Sequence, residues 1–129
     1  MASIFTKIIN GEIPAYKIAE NDDYIAFLDA FPIAKGHTLV VPKQETDRIW
    51  DLSPEQFNGL MAFAYKVAHA IEKSIDCNRV GVSVMGLEVP HAHVHLVPMN
   101  DMGDMNFANK IDISKEEMEE IRANIASNI

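Results

Sequence analysis

Ser53 to Ile75 reads S-P-E-Q-F-N-G-L-M-A-F-A-Y-K-V-A-H-A-I-E-K-S-I, and the rest of the chain arranges itself around this segment. Ser53 supplies an N-cap hydroxyl, Pro54 suits the first helical position, and Gln56 stands three residues on as the capping-box partner. Phe57, Leu60, Met61, Ala64, Ala68, Ile71 and Ile75 recur at three and four residues, so one apolar stripe runs along a helix to about Ile75 and packs on a sheet. His69 falls off that stripe, which predicts an exposed side chain.

Before this helix, Lys17–Ala19, Tyr24–Asp29 and Thr38–Val41 read as three short strands between turn residues. After it, Val80–Met85 and His93–Pro98 read as two alternating strands joined by a tight connection around Gly86. Ile4, Phe5, Ile8 and Ile9 predict a short opening helix before Asn10-Gly11, and Ser114 to Glu117 opens a closing helix with Met118, Ile121 and Ile125 inward. The expected fold class is α+β, a five-stranded antiparallel sheet with one long helix, a short N-terminal helix and a C-terminal helix, the helices lying on one side.

At 129 residues the chain fits one domain, 1–129, with 110–129 as a C-terminal helical extension. Hydrophobic residues at 48% allow a real core, and 11 Lys and Arg against 19 Asp and Glu give a net charge of −8, which argues against a nucleic-acid partner. A single cysteine, Cys77, excludes an intrachain disulfide and a Cys-rich metal site. With no apolar run of bilayer length and no secretory leader pattern, the expected setting is cytoplasmic, away from membranes.

His91, His93 and His95 alternate with Ala92, Val94 and Leu96, so a strand through them would send all three imidazoles to one face. Imidazole serves as nucleophile, acid, base or metal ligand. One ion can scarcely reach both His91 and His95, about 13 Å apart on an extended strand. A metal on a neighbouring pair would draw its other ligands from His37, Glu45 or Glu88. The residues leave three readings open: a histidine-based enzyme, a binding protein with little turnover, and a metal-binding strand module.

P-H-A-H-V-H-L-V-P at Pro90–Pro98 closely resembles the His-x-His-x-His motif of the histidine triad family. A-F-L-D-A-F-P-I-A-K-G-H-T-L-V-V-P-K at Ala26–Lys43 is similar to that family's other signature, and I-F-T-K-I-I-N-G-E-I-P-A-Y at Ile4–Tyr16 to its opening. The resemblance spans about Ile4 to Met99 and implies a histidine-triad-like fold, usually dimeric. It also implies a hydrolase or nucleotidyl transferase acting at the α-phosphate of a small purine nucleotide, with phosphoramidate-type substrates and no cofactor. By position His93 matches the family nucleophile, and His91, His95 and His37 the residues around it. Glu88 stands where relatives have Ser or Glu and would protonate a leaving amine. Asp29 with Ala30 matches the ribose position, Ile4, Phe5, Ile8 and Phe27 match the wall against the base, and Gly86 and Val89 complete the substrate contacts.

Three departures are visible. Many relatives hold a structural zinc with a Cys-x-x-Cys pair, a histidine after V-P-K and a triad histidine, but Ser3, Thr6 and Glu45 occupy three of those positions here. No zinc is therefore expected. Leu87 replaces a glutamine before the triad, and Met99 replaces a frequent arginine.

Overall fold

The computed structural model describes residues 2–129. The long helix forms as its termini dictate: Ser53 Oγ accepts from Gln56 N at 3.1 Å, and Gln56 Oε1 accepts from Ser53 N at 3.0 Å. It is α2, Pro54–Ser74, and it stops where Ile75 turns extended (φ −114°, ψ 127°). Leu60, Ala64 and Ile71 of the expected stripe are buried with Val67 and Ala70, while Phe57, Met61, Ala68 and Ile75 flank them half-buried. His69 is exposed.

Around it stand α1 (Ile4–Ile9), β1 (Lys17–Glu20), β2 (Tyr24–Leu28), β3 (Thr38–Pro42), β4 (Arg79–Ser83), β5 (Val94–Met99) and α3 (Lys115–Ser127). The strands form one antiparallel sheet in the order β1-β2-β3-β5-β4. The turn from β2 to β3 requires Gly36, whose φ is +95° and where a Cβ would lie 3.0 Å from Ile75 Cγ1. That turn delivers His37 to the foot of β3.

Alternation splits the sheet residues between two layers. Ala26, Leu28, Val40, Val94 and Leu96 pack on α2 and on Met118, Ile121 and Ile125 of α3. Ile25, Phe27, Leu39 and Val41 point the other way and pack on Phe5, Ile8 and Ile9 of α1. The helices thus do not share one side: α1 covers the opposite face, because β2 and β3 are apolar on both faces and each face needs a cover. At the start of α3, Ser114 Oγ accepts from Glu117 N at 3.1 Å, but the Glu117 carboxylate pairs with Lys35 Nζ at 2.6 Å.

The connection between β4 and β5 also differs from the expected tight turn. It runs from Val84 to His93, with Gly86 at φ +75°. Pro90 offers no N–H to a ladder, His91 N bonds to Val89 O at 2.8 Å, and Ala92 N bonds to Thr46 O at 2.7 Å. The backbone is thereby drawn away from β4, and of the three triad histidines only His95 lies on β5.

Candidate active site

His93 stands just before β5, and its Nδ1 donates to the carbonyl of His91 at 2.7 Å. A carbonyl only accepts, so the proton of the neutral ring sits on Nδ1 and Nε2 keeps a free lone pair. The ring is 6% exposed and lines a cleft of about 520 Å³. It is wedged between two edge-on neighbours, Phe5 with centroids 5.0 Å away and His95 at 4.9 Å.

A second chain of bonds fixes His95. Ile33 N donates to His37 Nδ1 at 3.1 Å, so the neutral His37 ring carries its proton on Nε2. That N–H donates to His95 Nδ1 at 3.0 Å, which leaves the His95 proton on Nε2. His95 lines the cleft, and this N–H has no acceptor among the described residues. The cleft wall thus presents an imidazole lone pair beside an imidazole N–H donor. Burial, followed by the charges of Lys110 and His93, pushes His37 down to about 4; burial, followed by His93 and His37, pushes His95 down to about 3.

His91 is placed differently from the sequence expectation. Being off the strand, its ring turns from the cleft: Nε2 donates to Pro42 O at 2.8 Å, and Nδ1 accepts from Ser3 Oγ at 2.6 Å. Both nitrogens are occupied, so His91 has no donor to spare for a ligand. Its carbonyl is the group that sets the His93 tautomer. Burial also lowers its pKa, opposed by its bond to Pro42 and by Glu45.

The remaining residues predicted from sequence fall into two groups. Ile4, Phe5, Ile8, Phe27, Asp29, Ala30, Gly86, Glu88 and Val89 all line the same cleft as His93 and His95, whereas His37 and His91 stand behind it. Asp29 Oδ1 accepts from Phe31 N at 2.8 Å, and its Oδ2 lies 3.5 Å from His37 Nε2, a contact with a neutral ring and not an ion pair. Among the lining residues that the sequence reading did not single out are Phe107 and Lys110. Phe107 stands edge-on to His95 at 4.7 Å and to His37 at 5.9 Å.

Neither candidate metal grouping suits an ion. Asp29, His37 and His95 bring ligand atoms within 4.8 Å of one another, but His37 Nε2 and His95 Nδ1 are spent on each other, and freeing His37 Nε2 would put its proton against the Ile33 N–H. At the positions of the family's zinc ligands, Ser3 N and Thr6 Oγ1 both donate to Glu45 Oε1, at 2.7 and 2.6 Å, while Ser3 Oγ meets His91 Nδ1. Two hydroxyls, one carboxylate and one imidazole do not make a zinc site of thiolates and imidazoles. The hydrogen bonds close on themselves and tie α1 to the triad segment. They hold the Glu45 carboxyl down at about 2, the Ser3 amide contributing most and Thr6 next.

The buried neutral imidazoles give stability a pH dependence of defined sign. An unfolded histidine takes up a proton near pH 6.5, whereas His37, His91 and His95 resist it in the fold. Below about pH 6.5 the unfolded chain therefore binds more protons, and stability falls as pH falls toward the folded-state values near 3 to 4. Thermal melts should be flat above about pH 7.5 and decline steadily from about pH 6.5 to 4.5. A melting temperature constant over that acid range would show that these rings are charged in the fold.

With this geometry in place, likeness to known proteins is informative. The HIT domain profile matches residues 10–102. The chain is 32% identical over 135 residues to an uncharacterized HIT-like protein of Borreliella burgdorferi, covering 98% of this chain and 97% of that one. It is 37% identical over 103 residues to adenosine 5'-monophosphoramidase HNT1 of Saccharomyces cerevisiae, covering 78% of this chain and 64% of the yeast protein. Among solved structures, a Hit-like protein of Bartonella henselae superposes with a TM-score of 0.87 at 30% identity, over 98% of this chain and 96% of that one. Profile, relatives and fold agree over most of the length, and the chain belongs to the histidine triad (HIT) family.

Proposed function

We propose that the protein is a nucleotide hydrolase or nucleotidyl transferase that cleaves a P–N or P–O bond at the α-phosphate of a small purine nucleotide. The observation that carries this reading is the His93 tautomer: the bond from Nδ1 to His91 O leaves the Nε2 lone pair on the cleft wall. Likeness to a yeast adenosine 5'-monophosphoramidase points to the same chemistry.

In the first step His93 Nε2 forms a bond to the α-phosphorus as the bond to the leaving group breaks, the leaving group departing with the electron pair. Glu88, a carboxylate on the cleft wall, relays a proton from water to that group as it departs. In the second step water attacks phosphorus, the P–N bond to His93 breaks, and Nε2 regains its lone pair while the water's proton passes to base or solvent. His95 Nε2–H stabilises the phosphoryl oxygens in both steps. His91 and His37 act as positioning residues. Asp29 and Ala30 take the ribose, Ile4, Phe5, Ile8 and Phe27 the base, and Gly86 and Val89 the substrate on the connection between β4 and β5. Leu87, 92% exposed, gives the leaving group no hydrogen bond, which favours small leaving groups over long polyphosphates.

Release of a fluorescent amine from an adenosine phosphoramidate tests the reading. Steady turnover is expected; tight nucleotide binding by calorimetry with no turnover would replace it with a binding or scaffold role.

The same reading makes the protein a homodimer without structural metal. Edge strand β1 is covered where Arg122 Nη1 donates to Lys17 O at 3.2 Å, but β4 is an open edge with Val82 exposed, followed by exposed Val84 and Met85. A second copy covering that edge removes a row of unpaired backbone groups and apolar surface. Light scattering with metal analysis on one untagged sample should give twice the chain mass and no stoichiometric zinc. A monomer at micromolar concentration, or zinc whose removal lowers the melting temperature, would contradict one half or the other. No helix among the described residues is long and apolar enough to cross a membrane.

A further inference from the structure

Within the cleft the distribution of charge is uneven. Two carboxylates line it, Asp29 and Glu88, while His95 and the His37 behind it are neutral. With a net charge of −8 on the whole chain, a phosphate entering here meets an unfavourable field and needs a local cation. One Lys or Arg lines the cleft, Lys110. It lies beyond residues 10–102, outside the part of the chain that carries the family pattern.

Lys110 is poised without being neutralised. Its Nζ stands 5.9 Å from the Phe107 ring centroid, an arrangement in which the quadrupole of the ring attracts the ammonium. It makes no salt bridge among the described residues. The segment is anchored beside the β2–β3 turn, where Ile111 N donates to Pro32 O at 2.9 Å. Phe107 in turn rests edge-on against His95, so aromatic contact links the ammonium to the histidine that carries the free N–H. The charge of Lys110 also contributes to holding both His37 and His95 in the neutral form.

We propose that Lys110 is the phosphate-recognition residue of this cleft, the ammonium that pairs with the anionic phosphate of a bound nucleotide and so selects nucleotides over nucleosides. This rests on the nucleotide reading given above. His95 supplies a directional hydrogen bond and Lys110 the charge, a division that suits a compact, rotatable ammonium on a flexible stem.

The test is the affinity of AMP set against that of adenosine, by calorimetry on the full chain, for wild type, Lys110→Met and Lys110→Arg. Methionine keeps an apolar stem over Phe107 and removes only the charge. Wild type should prefer AMP. In Lys110→Met the AMP affinity should fall about tenfold, as for loss of one charge-assisted hydrogen bond, with adenosine unchanged. Lys110→Arg should retain most of the preference, and the wild-type preference should shrink as salt rises. An equal loss for AMP and adenosine would mean that Lys110 acts through packing on Phe107, and an unchanged AMP affinity would mean that it does not meet the phosphate; either overturns the proposal while the nucleotide reading stands. A wild type that binds neither compound would overturn the nucleotide reading itself.

Discussion

Turnover of an adenosine phosphoramidate should fall about 10⁴-fold or more in His93→Ala and His93→Asn, the loss expected when a covalent nucleophile is removed. The expectation follows from one bond. Because Nδ1 is committed to the His91 carbonyl at 2.7 Å, the neutral ring carries its lone pair on Nε2 and cannot rotate without breaking that contact. Neither alanine nor asparagine offers a ring nitrogen at that point, and His95 cannot substitute, since its own Nε2 carries the proton. The fold should survive. His93 stands before the strand and takes no part in its ladder, it lines the cleft, and its side chain makes one hydrogen bond, to the carbonyl two residues before it. Steady-state rates together with melting curves and AMP affinity check this: loss of rate with retained folding and binding is expected, and a His93→Ala protein of full activity would end the covalent mechanism.

His95→Ala should cost less, about 10² to 10³ in the rate at saturating substrate, the usual consequence of losing one donor to a developing oxyanion. The effect should fall on kcat more than on KM, because charge builds on the phosphoryl oxygens in the transition state. The variant also strips His37 of its acceptor at 3.0 Å and leaves a buried N–H unpaired, so some thermal stability goes with it. His95→Gln separates the two effects: a side-chain amide can restore a donor to the cleft, and partial recovery of kcat without recovery of stability is the expected result. A His95→Ala enzyme with unaltered kcat and raised KM would instead assign His95 to ground-state binding.

How much of this was legible in the sequence depended on the range of the interactions. The cap at Ser53, the helix to Ser74 and the strands β1 to β3 are written in neighbours within a few residues, and sequence alone predicts them. The His-x-His-x-His alternation misleads locally. It has the period of a strand, yet Pro90 and the bonds of His91 and Ala92 to loop carbonyls remove His91 and His93 from the ladder. That displacement makes the His91 carbonyl available to His93. The side taken by α1 was illegible for another reason: both faces of β2 and β3 are apolar, and a pattern that fits two faces does not choose between them.

Residues brought in by topology were the hardest to find. Phe107 and Lys110 lie in a segment with no periodicity, and only the chain's return past the β2–β3 turn sets them beside His95. Ser3, Thr6 and Glu45 were legible as lost zinc ligands through the family resemblance. That they bond to one another, and to His91, required coordinates.

The proposed mechanism requires phosphorus to become covalently bound to His93 Nε2 during turnover. Rapid quench of the enzyme with a slow adenosine phosphoramidate, followed by peptide mass spectrometry, tests it most directly. An adenylyl adduct that accumulates and decays with the turnover kinetics, carried by the peptide containing His93 and absent from His93→Ala, is the predicted result; an adduct on another residue, or steady turnover with no adduct on the chain, would contradict it.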